Sequence, residues 1–335
     1  MESSVLQQML FEQIKKNLAP HISLVDEIAE VLSISNDSAY RRIRGEKHLA
    51  FEELQKLAHH YRLSLDAMLN LQTDSAVFHG SYITRQNFDF ATYLKDMLRQ
   101  IQHVNSFEKK DFFYEAKDVP PFYYFQFPEL AAFKYFFWMK TILQYPEYSK
   151  SFYEPETVSK DIIETGKKII ETYCAVPSVE FWSVETVNIT LRQIDFYKES
   201  GVFRKKEHVQ LLYDQFLALI EHVEKQAETG AKFLADKTPE SSATPFKLFY
   251  NEVMLGHNII LAITGESKIV FLIHGTLNYL ITTDARFCNY TYETMQNLMR
   301  KSVLISGTGE KERSKFFNIL KNKIMEKRES ISVAL

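Results

Sequence analysis

The stretch from Ser23 to Leu69, SLVDEIAEVLSISNDSAYRRIRGEKHLAFEELQKLAHHYRLSLDAML, constrains this chain more than any other. Two short amphipathic patterns meet at a tight junction, LSISND, and the second runs into a basic end, RRIRGEK. In the first, Leu24, Ile28, Ala29 and Leu32 share one face at helical spacing. Ser23 opens it as an N-cap, with Asp26 three residues on in a capping-box arrangement. Ser35 caps the next helix, Asn36 to about Arg44, because its hydroxyl can satisfy a free amide of the first turn. Gly45 is the expected stop, since glycine takes the left-handed conformation at little cost. Two short helices joined this tightly have the layout of a helix-turn-helix, whose second helix enters a DNA major groove.

Three more helices complete the unit. Val5 to Leu18 carries Leu6, Met9, Leu10, Ile14 and Leu18 near helical spacing and stops at Ala19-Pro20. Phe51 to Tyr61 is expected to turn Phe51, Leu54, Leu57, Ala58 and Tyr61 inward, and Ser64 to cap a fifth helix through Leu65, Met68 and Leu69. IAEVLSIS, the basic segment ending in Gly45, and LAHHYRLSLDAML resemble the lambda-repressor-like (Cro/cI-type, or XRE) helix-turn-helix domain, over roughly Val5 to Leu71. The shared features are the alanine one turn before the junction, the glycine after the recognition helix and the closing L-S-L-D-x-x-L pattern. Val25 stands where that family usually has a phosphate-binding glutamine, and Arg42 where it has an apolar residue.

The resemblance implies that Asn36, Asp37, Ser38, Tyr40 and Arg41 face the groove. Asparagine can pair with adenine, arginine with guanine, and a carboxylate can accept from cytosine. Arg42, Arg44 and Lys47 are the expected phosphate contacts, with Lys15 and Lys16 in support. A basic helix end also complements the helix dipole without any ligand. Through Asp74 the chain holds eight Lys/Arg against eleven Asp/Glu, and the whole chain carries a net charge of -3. DNA contact must therefore come from one local face, and a second half-site from a homodimer.

The rest of the 335 residues reads as residues 72–86, a polar linker, and residues 87–335, a mainly helical regulatory or dimerisation domain rich in Phe and Tyr. Helical patterns run through Phe90 to Val104, Glu129 to Gln144, Thr157 to Cys174, Glu185 to Lys198, Lys205 to Phe233, Thr291 to Leu304 and Glu310 to Lys327. FFYEA fits a short strand. FKLFYNEVML, NIILAIT and KIVFLIH read as strands, the last two joined as a hairpin through GES, and NYLITT fits a strand or a helical turn. The expected fold class is mostly α: a five-helix lambda-repressor-like domain, then a large helical domain with a small antiparallel sheet near its end.

Phe133, Tyr135, Phe136, Phe137 and Trp138 crowd one segment more densely than a single helix face can bury. That segment and the Asn258–His274 hairpin are expected to line an apolar pocket or dimer groove. Cys174 and Cys288 lack metal or disulfide spacing and read as free thiols in a reducing compartment. The N-terminus lacks a signal-peptide pattern, and the most apolar window, LAAFKYFFWMKTIL, is too short to span a bilayer. A cytoplasmic location without membrane contact is expected. His59-His60 points in two directions and has no ligand at metal spacing. SGTGEKERSK lacks the ending of a phosphate-binding loop, and no catalytic motif set is present. The expectation is a non-enzymatic transcription regulator without metal or cofactor, bound to double-stranded DNA as a homodimer, with room for a small-molecule or peptide effector. The alternative is a protein-interaction scaffold with a vestigial helix-turn-helix domain.

Overall fold

The computed structural model describes residues 3–19, 21–61, 63, 65–68, 76–80, 83, 86, 88–155, 158–238, 243–253, 256–275 and 277–330. Five helices open the chain: α1 (Ser3–Asn17), α2 (Leu24–Leu32), α3 (Asn36–Ile43), α4 (Phe51–His60) and α5 (Leu65–Met68). They enclose a small core of Leu10, Phe11, Ile14, Ile28, Leu32 and Leu57. The Ser23 hydroxyl accepts from the Asp26 amide at 3.4 Å, and that of Ser35 from the Ser38 amide at 3.3 Å. Between α2 and α3 the backbone reverses at Ser33, in the left-handed region at φ 57°, and its N–H returns to the carbonyls of Ala29 and Glu30. Gly45 follows α3 at φ 78°, a conformation that costs glycine no Cβ clash. The expected inward Phe51 is instead 77% exposed: it sits on the first turn of α4, beside the buried row rather than in it. Ser64 and Leu69 lie outside the described residues, as do residues 72–75 of the expected linker.

The remainder is not a helical domain with a small antiparallel sheet. It is built on a nine-stranded mixed sheet. In chain order come β1 (His79–Gly80), α6 (Phe90–Asn105), β2 (Lys110–Ala116), α7 (Pro121–Tyr124), α8 (Pro128–Phe137), α9 (Lys160–Cys174) and β3 (Ser178–Trp182). They are followed by α10 (Asn188–Glu199), α11 (Lys206–Thr229), β4 (Ala231–Lys232), β5 (Thr244–Tyr250), β6 (Asn258–Thr264), β7 (Ser267–His274), β8 (Asn278–Thr282), α12 (Ala285–Arg300), β9 (Val303–Leu304) and α13 (Glu310–Glu329). The strand order is β1-β8-β7-β6-β2-β3-β5-β4, with β9 on β5. β2 and β3 pair in parallel, as do β3 and β5, and every other pairing is antiparallel. NYLITT is a strand, and His79–Gly80, within the expected linker, pairs with it at Leu280 and Ile281.

The strand SVEFW alternates polar and apolar residues over Ser178–Phe181, yet all five of its residues are buried, so the face that carries Ser178 and Glu180 turns to the core and not to solvent. Its faces do divide. Glu180 and Trp182 turn toward the large helical layer, while Val179 and Phe181 pack with Phe113, Phe249 and Leu261. That second face is closed by α12 through Cys288 and Met295. The connections from β2 to β3 and from β3 to β5 each carry helices, as parallel neighbours require. No helix among the described residues is long and apolar enough to cross a membrane.

One carboxylate lies at the centre. Glu180 is 0% exposed and accepts from Tyr123 Oη (2.8 Å), Tyr173 Oη (2.5 Å) and Trp182 Nε1 (2.8 Å). The buried Lys232 ammonium donates to the carbonyls of Tyr173 (3.0 Å) and Val176 (3.1 Å) and lies 3.2 Å from the Tyr173 ring centroid. Burial pulls its pKa down to about 8, against the pull of Glu180 in the other direction. Removing one member of such a set leaves the others buried and unpaired. Glu180→Ala is expected to lower stability by about 3 kcal/mol or more, measured as a shift of the urea midpoint followed by tryptophan fluorescence. A loss below 1 kcal/mol would remove Glu180 from this role.

His222 on α11 places Nε2 3.0 Å from the Phe233 carbonyl, and burial drives its pKa down to about 4. An unfolded histidine titrates near 6.5, so between pH 6.5 and 4 the unfolded chain binds a proton that the fold refuses. The contribution is fully present above pH 6.5 and is lost as pH falls toward 4. The melting temperature of His222→Gln is expected to fall less steeply than that of the parent across this window.

Candidate functional site

The expected site residues fall on two sides of α3. Asn36, Asp37, Tyr40, Arg41 and Arg44 are exposed, and their spacing puts them on one helix face. Lys47 is exposed just beyond the helix, and Ser38 is half-buried at the edge, its Oγ 3.1 Å from Ser35 Oγ. Asn36 donates from Nδ2 to Asp26 Oδ1 on α2 at 2.8 Å. Arg44 lies 5.5 Å from the Tyr40 ring centroid. Glu46 approaches both Arg41 (4.0 Å) and Arg44 (3.4 Å), so a solvated carboxylate partly neutralises this face.

Arg42 departs from its expected phosphate contact. It is only 4% exposed and points into the domain. Nε and Nη2 donate to the two oxygens of Glu53 at 2.9 and 2.6 Å, and Nη1 donates to the Ser38 carbonyl at 3.1 Å. Glu53 Oε2 also accepts from the Ala50 amide at 3.0 Å, and the Arg42 hydrogen bonds hold the carboxyl below the usual carboxylate range. The same fork thus ties α3 to the first turn of α4. Gln7 of α1 completes the clamp: Nε2 donates to the carbonyls of Arg42 (2.7 Å) and Lys47 (2.8 Å), and Oε1 accepts from the Leu49 amide (2.9 Å). Its partners lie 35 to 42 residues away, so no local pattern marks it. Arg42→Ala is expected to cost about 3 kcal/mol locally and Arg42→Met/Glu53→Met much less, because the pair is removed whole. Hydrogen exchange of the α3 amides in the full chain measures both, and equal acceleration in the two variants would contradict the assignment.

A second feature is a cavity of about 420 Å³ between the sheet and the large helical layer. It opens at the carboxyl end of β2, where the parallel part of the sheet meets the antiparallel part. Trp138, Tyr114, Ile260, Phe271 and Ile273 supply apolar wall. The expected crowding of aromatics resolves into two groups. The helix widens to a π-turn at Trp138–Ile142, and Trp138 lines the cavity. Phe133, Phe136 and Phe137 pack elsewhere, around Tyr153 and Tyr197.

The cavity has a charged floor that no sequence motif marks. Lys134 on α8 is 3% exposed and donates to Thr190 Oγ1 (3.0 Å) and Gln193 Oε1 (2.8 Å) of α10. Asp118 Oδ2 stands off at 3.7 Å, and the Tyr124 ring centroid at 4.7 Å. Burial lowers the Lys134 pKa and raises that of Asp118, each opposed by the attraction of the other. Asn258 Oδ1 accepts from the Lys117 and Asp118 amides at 2.9 and 3.4 Å and so holds the end of β2 in place. Lys134 is one cation inside an aromatic run, the pattern of an interrupted core helix.

The BetR domain family model matches residues 2–95. This corrects the resemblance to the lambda-repressor-like family, from which the BetR domain is distinct. The match covers the five opening helices and continues into α6, beyond the Leu71 boundary of that resemblance. It points to a regulatory role for this part of the chain. No curated protein and no solved structure matches the chain.

Proposed function

We propose that this protein is a sequence-specific DNA-binding transcription regulator that acts as a homodimer, with α3 as its reading helix and residues 87–335 as the regulatory and assembly part. The observation that carries the reading is the outer face of α3. Asn36, Asp37, Tyr40, Arg41 and Arg44 are exposed on one helix, and Arg42, the one basic residue of the run that breaks the pattern, is consumed in holding that helix to α4. Asn36, Asp37 and Arg41 suit base edges, while Arg44 and Lys47 suit phosphates. The reading assigns no catalytic step. A single small face with a carboxylate between its arginines binds weakly, and two-fold symmetry on a two-half-site operator supplies the missing affinity.

A salt-dependent shift assay of the full chain on random genomic fragments selects the operator. Arg41→Ala is then expected to weaken specific binding by about 1–3 kcal/mol and to relax preference at one base position. Arg44→Ala should weaken all sequences alike and reduce the salt slope by about one unit. Glu46→Gln should strengthen binding to every fragment. Retention of no fragment at low salt would sink the reading in favour of a protein-interaction scaffold, and parent-like binding by both arginine variants would remove α3 as the reader.

A further inference from the structure

We infer that the cavity behind β2 is a binding site for a small amphipathic carboxylate, with an apolar body against the aromatic wall and its anionic head on Lys134. The inference stands apart from the role of α3, because the binding is measured directly.

Three observations carry it. The first is size. About 420 Å³ lies in the range of pockets that enclose small molecules, far above the space a single buried water needs. The second is the ammonium. Lys134 is 97% removed from solvent and still lines the cavity. Thr190 and Gln193 take two of its three N–H groups, and the nearest Asp118 oxygen, at 3.7 Å, is beyond good hydrogen-bond length for the third. A buried charge in this state gains from one further close acceptor, and a ligand carboxylate supplies it with charge assistance. The third is the sign of the surroundings. Lys117 and Lys134 outnumber Asp118 on the lining, and the phenols of Tyr93 and Tyr114 there add donors. A cationic ligand would meet two ammonium groups, and a fully apolar one would leave the third N–H of Lys134 without an acceptor.

The polarity of the site follows its depth. Lys117, His257 and Gly275 are exposed at the mouth, while Lys134, Tyr124 and Trp138 lie buried at the inner end. The head group therefore enters first, and Trp138 reports its arrival.

The test compares 4-phenylbutyrate, its amide 4-phenylbutyramide and the amine 4-phenylbutylamine on the full-length protein, by titration calorimetry and by tryptophan emission. The carboxylate is expected to bind at least tenfold more tightly than the amide, with the amine weakest, and to change the Trp138 emission. Lys134→Met should bring the carboxylate to the level of the amide. Ile273→Trp, which fills the cavity and leaves the charges in place, should abolish binding of both. Equal or reversed order among the three probes on the parent protein overturns the proposal, and this comparison needs no variant to fold. Absence of binding by all three up to millimolar concentration overturns it as well, as does undiminished binding to a folded Ile273→Trp protein.

Discussion

Both faces of the strands β2, β3 and β5 must be buried, and the rest of the large domain is arranged to meet that demand. Parallel strands need long crossover connections, and helices in those connections cover the sheet. Here the thick layer of α6 to α11 and α13 takes one face, and α12 takes the other. Phe113, Val179 and Leu261 lie side by side in register against α12, while Phe112, Tyr114 and Trp182 support the thick layer. The antiparallel strands β6, β7 and β8 then extend the sheet from β2, and β1 closes that side.

Charge in such an interior survives only with partners. Glu180 is met by three donors and Lys232 by two carbonyls and a ring, so both charges find close partners within the packed interior. Lys134 differs. Its carboxylate partner stands off at 3.7 Å, its aromatic ring lies at 4.7 Å against 3.2 Å for Lys232, and it lines a cavity. The contrast between two buried lysines within one core separates a group that completes the packing from one that has capacity left for binding. The cavity lies beside the strand end where parallel and antiparallel pairing meet, and where the Asn258 side chain at the start of β6 holds the amides of Lys117 and Asp118 just past β2.

In the small N-terminal unit the same logic sorts the basic run. Arg42 has a bidentate carboxylate partner inside the domain, which a lysine could not match in geometry. Arg41 and Arg44 share a solvated glutamate at 4.0 and 3.4 Å, an arrangement worth little in water, and Arg44 also lies over the Tyr40 ring. One arginine therefore holds α3 against α4, and its neighbours stay at the surface.

Local information was legible. The caps at Ser23 and Ser35, the stop at Gly45, the five short helices and the hairpin around Gly265 all follow from rules that act over a few residues. The family relation was not settled by those rules, because a capped helix pair of this kind is shared by distinct domains, and the BetR model corrects it. Tertiary structure decided what depends on distant partners. Arg42 turns inward because Glu53 lies on another helix, Gln7 becomes a clamp across 35 residues and more, and SVEFW becomes a central strand because β2 and β5 flank it. The alternation in SVEFW marks Ser178 and Glu180 as a solvent face that the fold buries instead, and a lysine in an aromatic helix shows its role only when the facing helix brings Thr190 and Gln193 to its ammonium beside a cavity. Side-chain period is encoded along the chain, whereas the pairing of distant surfaces is fixed only when those surfaces are packed together.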